Sequence, residues 1–423
     1  MKSVLLVVLP FVILVLLVSS LSAQEKELII LKNADVFVGK NVNGEDVREF
    51  TGNVHLVQGN VKVWCERAVQ HLAKNQVELI GKVKVVRDTV TLTAKKGMYF
   101  GDTKKAVCED GVRLETKHIV LLADFGTYFT EEKKAFFHTH VRVIDSTTTI
   151  FSDELTYFEK ERKSIAVRAV KVVNAANNVQ LFGEYLEHFD DARYSKITQQ
   201  PRLMQIDTSA NGEIDTFAVK SVVMESYDDS TKKLIVTDSV IMVRGPLAVR
   251  CGWAKYFTKD EFIELRQQPV VWYEDNQATG DSISLRLVHN KLQKAVIVGR
   301  AFALSQSDSA YAWRYNQLTG RKIEMLFADD KLREMIVDRN ATSLYYLYDG
   351  KEPNGCNRTT GDVITMTFVS GKIDIIRIVK GIEGTYYPEN MVSRKVGTYN
   401  LDGFLLRNDR PSLKSIFPSV RNL

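Results

Sequence analysis

The chain has 423 residues, of which 45% are hydrophobic and 26% are charged, so it can bury a large core. Its 57 cationic and 52 anionic side chains leave a net charge of +5, and the two signs are interspersed along the sequence. This balance, without a basic run or a zinc-ligand spacing, argues against nucleic-acid binding.

The N-terminus has the pattern of an export signal. Met1 and Lys2 form a short positive region, the stretch from Val4 to Val18 is apolar, and small residues lead to Ala23. This pattern predicts a signal peptide over residues 1–23, cleaved after Ala23. An uncleaved membrane anchor is the alternative, although the apolar run is shorter than the ~20 residues of a typical span.

A short phrase, Val-x-Val or Val-x-Leu, recurs at a fixed interval through the next part of the chain. Its copies begin at Val54, Val83, Val112, Val141 and Val170, so each step is 29 residues. A period of this size indicates stacked repeats, each burying its apolar face against its neighbours. The sequence therefore predicts one elongated body with an extended surface or groove.

Each repeat has the period-2 alternation of β-strands. In one copy, Val83 and Val85 alternate with polar residues, and after a charged turn Val90, Leu92 and Ala94 share one face. Alternation with β-branched residues and short polar turns is typical of strands. No segment shows a sustained helical stripe, so the predicted fold class is all-β: a β-solenoid-like or folded-over jelly-roll stack of 29-residue repeats.

Two sets of equivalent positions in successive repeats, which we call columns, have distinctive residues. The second strand of each unit ends on a small residue, which predicts a bend or a close approach there; the column contains Cys65, Ala94, Ala123, Ser152 and Cys251. Cys65 and Cys251 lie six repeats apart, at least ~29 Å at ~4.8 Å per layer, which is too far for a disulfide. Five residues after the small residue stands an aromatic residue or His (Tyr99, Tyr128, Tyr157, His188, Tyr256). Packing at the turns is the favoured role of this second column, and sugar or headgroup binding is the alternative.

The later part of the chain is less regular. Extra residues around 208–212 predict a loop insertion, and the period changes after Gly320. Asp329-Asp330 and Ser370-Gly371 lie between alternating apolar segments and predict two hairpins. We therefore expect a repeat body over residues 24–320, a β extension over 321–400, and a flexible or partner-docking tail over 401–423.

The recurring phrases resemble a known family. They are Gly52-Asn53-Val54, Gly81-Lys82-Val83, Cys65-Glu66-Arg67-Ala68, Ala123-Asp124-Phe125-Gly126-Thr127-Tyr128 and Ser152-Asp153-Glu154-Leu155-Thr156-Tyr157. Together they resemble the organic-solvent-tolerance A family, the periplasmic lipopolysaccharide-transport bridge proteins and the N-terminal domain of their outer-membrane partner. The resemblance covers about residues 28–320. Segments at 340–346 and 381–388 resemble the longer, Bacteroidetes-type members.

The resemblance implies a non-enzymatic periplasmic protein, with association with the outer membrane as a further option. It would carry lipopolysaccharide or lipid A toward the outer membrane, with the acyl chains in an apolar β groove. The implied partners are other jelly-roll transport components at the inner and outer membranes, and head-to-tail copies of the chain itself. No cofactor is implied. The candidate groove-lining residues are Val54, Leu56, Val63, Val83, Val85, Leu92, Val112, Leu114, Leu121, Val141, Val143 and Ile150.

Other interpretations of the same residues remain open. The apolar columns could fill a closed core. An acidic column (Glu66, Asp124, Asp153, Glu184, Asp281) could be a carboxylate site or a calcium ladder, although bonding to the local backbone is favoured. His138 and His140 have a metal-like spacing without an evident third ligand, so no metal site is expected. No catalytic motif stands out. The alternative functions are a secreted polysaccharide-binding or -cleaving β-solenoid, and a structural envelope scaffold.

Overall fold

The computed structural model describes residues 27–418, apart from 209–211, 213, 309, 330, 370, 371 and 396. The predicted signal peptide lies outside this part of the chain, as do residues 419–423.

The first half of the chain forms long antiparallel strands in sequence order. They are β1 (Ile30–Asn33), β2 (Val36–Val42), β3 (Glu45–Gln58), β4 (Val61–His71), β5 (Gln76–Arg87), β6 (Val90–Phe100), β7 (Lys105–Glu115), β8 (Val120–Phe129), β9 (Lys134–Ile144), β10 (Thr148–Phe158), β11 (Lys163–Asn174) and β12 (Val179–Phe189). From β3 to β12 each strand pairs with the next one along the chain. The all-β class predicted from the alternation is confirmed.

Every second long strand is broken by a pair of residues with positive φ. The pairs are Gly52-Asn53, Gly81-Lys82, Asp110-Gly111, Thr139-His140 and Arg168-Ala169. The register of pairing shifts at each of them, as at a β-bulge. Directly after each bulge, a repeat valine pairs with a small residue of the next strand, as Val54 does with Cys65 and Val83 with Ala94. The small-residue column therefore marks the line along which the sheet folds over itself, and the predicted bend is confirmed.

The fold line divides the sheet into two facing walls. We call the "first wall" the strand segments between the fold line and turns such as 59–60 and 88–89. The "second wall" comprises the segments between the fold line and turns such as 72–75 and 101–104. The apolar residues of the strands point between the walls.

Short strands build one wall each in the middle of the chain. The first wall takes β14 (Arg202–Thr208), β15 (Ile214–Lys220), β20 (Val270–Tyr273) and β21 (Asn276–Thr279), and the second wall takes β13 (Tyr194–Thr198), β16 (Val223–Tyr227), β19 (Phe262–Arg266) and β22 (Ser282–Val288). The strands β17 (Lys233–Arg244) and β18 (Leu247–Phe257) again cross both walls. The predicted insertion is the turn of the β14–β15 hairpin, and its residues 209–211 lie outside the described chain.

The sheet continues without interruption past residue 320. Its last strands are β23 (Lys291–Gln306), β24 (Tyr315–Ala328), β25 (Lys331–Asp349), β26 (Glu352–Val369), β27 (Lys372–Val379) and β28 (Glu383–Tyr387). The two predicted hairpins are confirmed as β24–β25 and β26–β27. Of their turn residues, 330, 370 and 371 are outside the described part.

The last residues leave the sheet and lie on its outer surface. We call residues 388–418 the "C-terminal strap"; it contains the short helices α1 (Glu389–Val392) and α2 (Leu413–Ile416). The Gln277 side chain donates to the Leu405 carbonyl (2.7 Å) and accepts from the Arg407 amide (2.8 Å). Farther on, Ile416 and Phe417 pack against outward-facing apolar residues of β14 and β15. Residues 401–418, part of the segment for which the sequence predicted a flexible or partner-docking tail, lie on the first wall, and their apolar side chains cover an apolar part of its outer surface.

Candidate functional site

The twelve candidate lining residues all lie between the two walls. Their exposed fractions run from 0% for Val54 to 7% for Ile150, and all belong to one continuous apolar cluster. Alternation places them there because successive side chains of a strand point to opposite faces. In this structure they pack against one another and against the second wall. Their role as groove lining stays a prediction.

The free ends of the two walls meet along a line of polar contacts, which we call the "polar seam". At the first repeat, the Gln58 side chain accepts a hydrogen bond from the Tyr99 hydroxyl (2.6 Å) and donates to the Gly101 carbonyl (3.0 Å). At the next repeat, the Lys133 ammonium lies 3.8 Å from the Asp88 carboxylate. The seam joins turns of opposite walls, so it closes the side of the interior opposite the fold line.

The seam recurs at the middle of the chain. There the Asn290 side chain, in a second-wall turn, donates to Asp207 at the end of a first-wall strand (3.3 Å). Asp207 also binds the buried Arg244 guanidinium (3.0 Å). Access to the apolar interior from this side therefore requires the polar contacts at the rim to part.

The aromatic column lies just inside the seam. Tyr99, Tyr128, Tyr157 and Tyr256 are all buried. Burial raises the pKa of Tyr157 to about 12, with the carboxylate of Asp190 adding to the effect. Buried rings cannot stack on a sugar in water, so this column packs the mouth of the fold, in agreement with the favoured interpretation.

An apolar cavity of about 70 Å³ lies farther along the interior and is lined by residues of the strands from β20 to β27. Its lining includes three small residues and several flexible ones, among them Ala278, Ala295, Ala303, Met325, Met335 and Met366. Small side chains leave space, and methionine adapts its shape to what fills that space. None of the twelve candidates lines this cavity. The sequence signal that could have found it is the group of inward-facing alanines just before the period changes and the inward-facing methionines after it.

The acidic column serves the fold line. Glu66 binds Lys82 (2.7 Å) and Asp281 binds Arg300 (2.5 Å), and each of these cations belongs to a bulge pair. Glu184 accepts the backbone N–H of Ala169 in another bulge (3.1 Å). The carboxylates thus bind bulge residues of the neighbouring strand, mainly through side-chain cations, instead of the local backbone that the sequence favoured.

The histidine pair and the cysteines have structural surroundings. His138 stacks on Phe125 (4.9 Å between centroids), whereas His140 binds Asp124 (2.7 Å). Within the described chain, no group of three or more His, Cys, Asp or Glu side chains is placed to hold a metal ion. All four cysteines are free and buried, and burial raises the pKa of Cys108 and Cys251 to about 12.

Among the described residues, no helix is both long and apolar enough to span a membrane. The OstA-like protein family matches residues 26–203, the part of the chain that contains the regular 29-residue period. A search of curated proteins gives no match. Among solved structures, one similar chain is LptH from Pseudomonas aeruginosa, described as the LptA-homologous periplasmic component of the conserved lipopolysaccharide transport device. It is 15% identical, the alignment covers 34% of this chain and 96% of that one, and the TM-score is 0.27.

Proposed function

We propose, from the OstA-like segment at residues 26–203, that this protein binds lipopolysaccharide in the periplasm and passes it toward the outer membrane. The acyl chains would lie between the two walls, and the sugars would remain in water. The observation that supports this most directly is the continuous apolar interior, which runs from Phe50 to Met366 in a single cluster.

The energetics favour such a cargo. Each exposed CH₂ costs about 0.8 kcal/mol, so an acyl chain of ~14 carbons gains roughly 10 kcal/mol when it is shielded. The contacts at the polar seam include partly exposed ion pairs such as Lys133 with Asp88, which contribute only about 0–1 kcal/mol each, and buried hydrogen bonds such as that of Tyr99 with Gln58, which contribute about 0.5–1.5 kcal/mol each. Entry of an acyl chain can therefore offset the loss of the seam. Because the lining repeats every 29 residues, successive positions are nearly equivalent, and the lipid can move along them without a deep trap.

The ends of the sheet offer places for partners. Within the described chain, β2 pairs only with β3 and exposes Phe37 and Val38, and β27 pairs only with β26 and exposes Ile375. An unpaired edge strand can accept a further strand from another chain. We propose that these edges join jelly-roll transport components at the inner and outer membranes, or copies of this chain head to tail.

Binding rather than catalysis is proposed, because the carboxylates of the acidic column are engaged at the fold line. The test is native mass spectrometry of the purified protein with lipid A, which has the acyl chains and their phosphorylated disaccharide but not the longer saccharide chain. We expect a stoichiometric complex that survives removal of free lipid. Failure to bind lipid A would contradict the proposal, and an interior that stays filled under all conditions would favour a structural scaffold.

A further inference from the structure

The outer face of the first wall carries an unbroken row of directly paired positions across fourteen strands. In order, the row is His55, Trp64, Lys84, Thr93, Arg113, Leu122, Arg142, Phe151, Lys171, Phe182, Arg202, Lys220, Ile241 and Arg250. Seven of the fourteen residues are Lys or Arg and none is acidic. We call these seven side chains the "cation row". Its first four members are the middle residues of the Val-x-Val phrase, which alternation turns outward.

The first four members of the cation row have little to neutralise them. Lys84, Arg113 and Arg142 are exposed, and Lys171 is half-buried. Within the described residues, Arg113 is the only one of the four with an ion pair, to Glu115 on its own strand (3.1 Å). Consecutive members are two strands apart, ~9.6 Å, which is close to the Debye length in physiological salt. Each cation can therefore bind its own anionic group with little repulsion from the next.

The outer face of the second wall places a carboxylate beside its cation. There Lys163 binds Glu187 (3.0 Å) and lies over the ring of Phe189 (4.9 Å). On the first wall, Lys84 lies over Trp64 (5.8 Å) and Lys171 over Phe182 (5.6 Å), but among the described residues neither has a carboxylate partner. The cations of the first wall are therefore less neutralised and more available for an anionic ligand.

The C-terminal strap already occupies the far end of the row. Arg250 binds both the carboxylate (3.1 Å) and the backbone carbonyl (2.8 Å) of Asp409, and Phe417 packs edge-on against Phe182 (5.8 Å). The strap thus crosses the strands of this face with a carboxylate bound to one cation of the row and an apolar side chain packed on one of its rings. A ligand with the same combination of groups is compatible with the face. The rest of the row, from His55 to Lys171, is left uncovered by the described part of the strap.

The shape of the row favours a flexible linear ligand. Adjacent strands of a sheet twist by roughly 10° at the least, so the nine steps from His55 to Phe182 turn through ~90° or more. A flat membrane surface can touch only part of such a row, whereas a polymer can follow it. Because Leu122 and Phe151, the latter 37% exposed, lie between row cations, sugar rings can pack between the bound anionic groups.

We propose that the cation row binds the anionic saccharide, with its sugar phosphates and carboxylates, of the lipopolysaccharide that the interior holds. This inference rests on the proposed function. The two sites share one wall, since Arg113 points outward between the buried Val112 and Leu114. The row lies about four residues, or ~13 Å, from the first-wall turns at the polar seam. A saccharide that leaves the mouth over these turns reaches the row.

The test uses a quadruple variant, Lys84→Gln, Arg113→Gln, Arg142→Gln and Lys171→Gln, and as probe the phosphorylated saccharide of lipopolysaccharide after removal of its acyl chains. We expect affinity for this probe to fall by roughly tenfold or more, since four exposed charge contacts are lost together. The matched control removes two Lys and two Arg charges at exposed positions of the fold line and the second wall, with Lys95→Gln, Arg321→Gln, Arg377→Gln and Lys380→Gln, and should bind as the unchanged protein does.

The outcomes separate this inference from the proposed function. Lipid A consists of acyl chains on a phosphorylated disaccharide and lacks the longer saccharide chain, so the quadruple variant should lose much less affinity for lipid A than for the saccharide probe. Equal losses of saccharide binding in the two variants would overturn the row as a site. The row would also be overturned if the unchanged protein bound the dephosphorylated saccharide as tightly as the phosphorylated one. Tighter binding of an acidic peptide or of anionic vesicles than of the saccharide probe would overturn it too. Loss of lipid A binding by the unchanged protein would instead contradict the proposed function. Circular dichroism of each variant verifies that the fold is retained.

Discussion

Linking the two wall tips covalently is expected to weaken the capture of lipid A at least tenfold. In the double variant Asp88→Cys and Lys133→Cys, the new thiols replace an ion pair that crosses the polar seam. A short bis-maleimide between them would hold the mouth closed at this repeat, because the two positions belong to turns of opposite walls. We expect lipid A binding to fall by at least tenfold, equivalent to ~1.4 kcal/mol, on linking.

The matched control links two tips of the same wall. Asp88→Cys and His118→Cys lie in neighbouring first-wall turns, so the linker leaves the mouth free to open. This variant should bind lipid A equally well before and after linking. The native cysteines are buried with raised thiol pKa, so they should not compete for the reagent. Undiminished binding by the linked Asp88–Lys133 variant would show that lipid does not enter between the walls at this point.

Glu389→Ala is expected to lower the free energy of unfolding by about 3–5 kcal/mol. Arg314 is only 1% exposed, and it lies against the rings of Tyr311, Trp313 and Tyr346. Glu389, at the start of the strap helix α1, is its ion-pair partner (2.5 Å). Removing one member of a buried pair leaves an uncompensated charge, which is the costly case. Urea unfolding followed by circular dichroism measures the change.

Two further variants test whether the loss of stability comes from the unpaired buried charge of Arg314. The double substitution Arg314→Met with Glu389→Leu removes both charges and should recover most of the loss, since an apolar pair of similar size fits the aromatic surroundings. Glu383→Ala, an exposed carboxylate on β28, should change stability by less than about 0.5 kcal/mol. If Glu389→Ala were as mild as Glu383→Ala, the strap would not depend on the buried charge.

The interior of the fold could be predicted from the sequence because it repeats. The 29-residue phrase placed all twelve candidate positions on the inner face, and the small-residue column located the fold line. The bulges themselves were less visible. Gly81-Lys82 and Asp110-Gly111 contain the expected glycine, but Thr139-His140 and Arg168-Ala169 do not, so positive φ could not be inferred there.

The polar seam, the strap and the cavity depend on contacts between distant parts of the chain. Gln58 and Tyr99 are 41 residues apart, and Arg250 and Asp409 are 159 apart. A local pattern contains no information about such pairs. The strap has no periodicity because it follows an outer surface instead of joining the sheet. The cavity exists because small side chains such as Ala303 face the opposite wall at this point. Which residues face each other there depends on the register of strand pairing.

The most direct test of the proposed function is a pair of photo-crosslinking variants at adjacent residues. Leu121 is fully buried between the walls, and Leu122, the next residue of β8, faces outward within the same strand. A photoreactive amino acid at Leu121 should label lipid A, and the same group at Leu122 should not. Labelling at Leu122 without labelling at Leu121 would place the lipid outside the fold and contradict an interior that carries acyl chains.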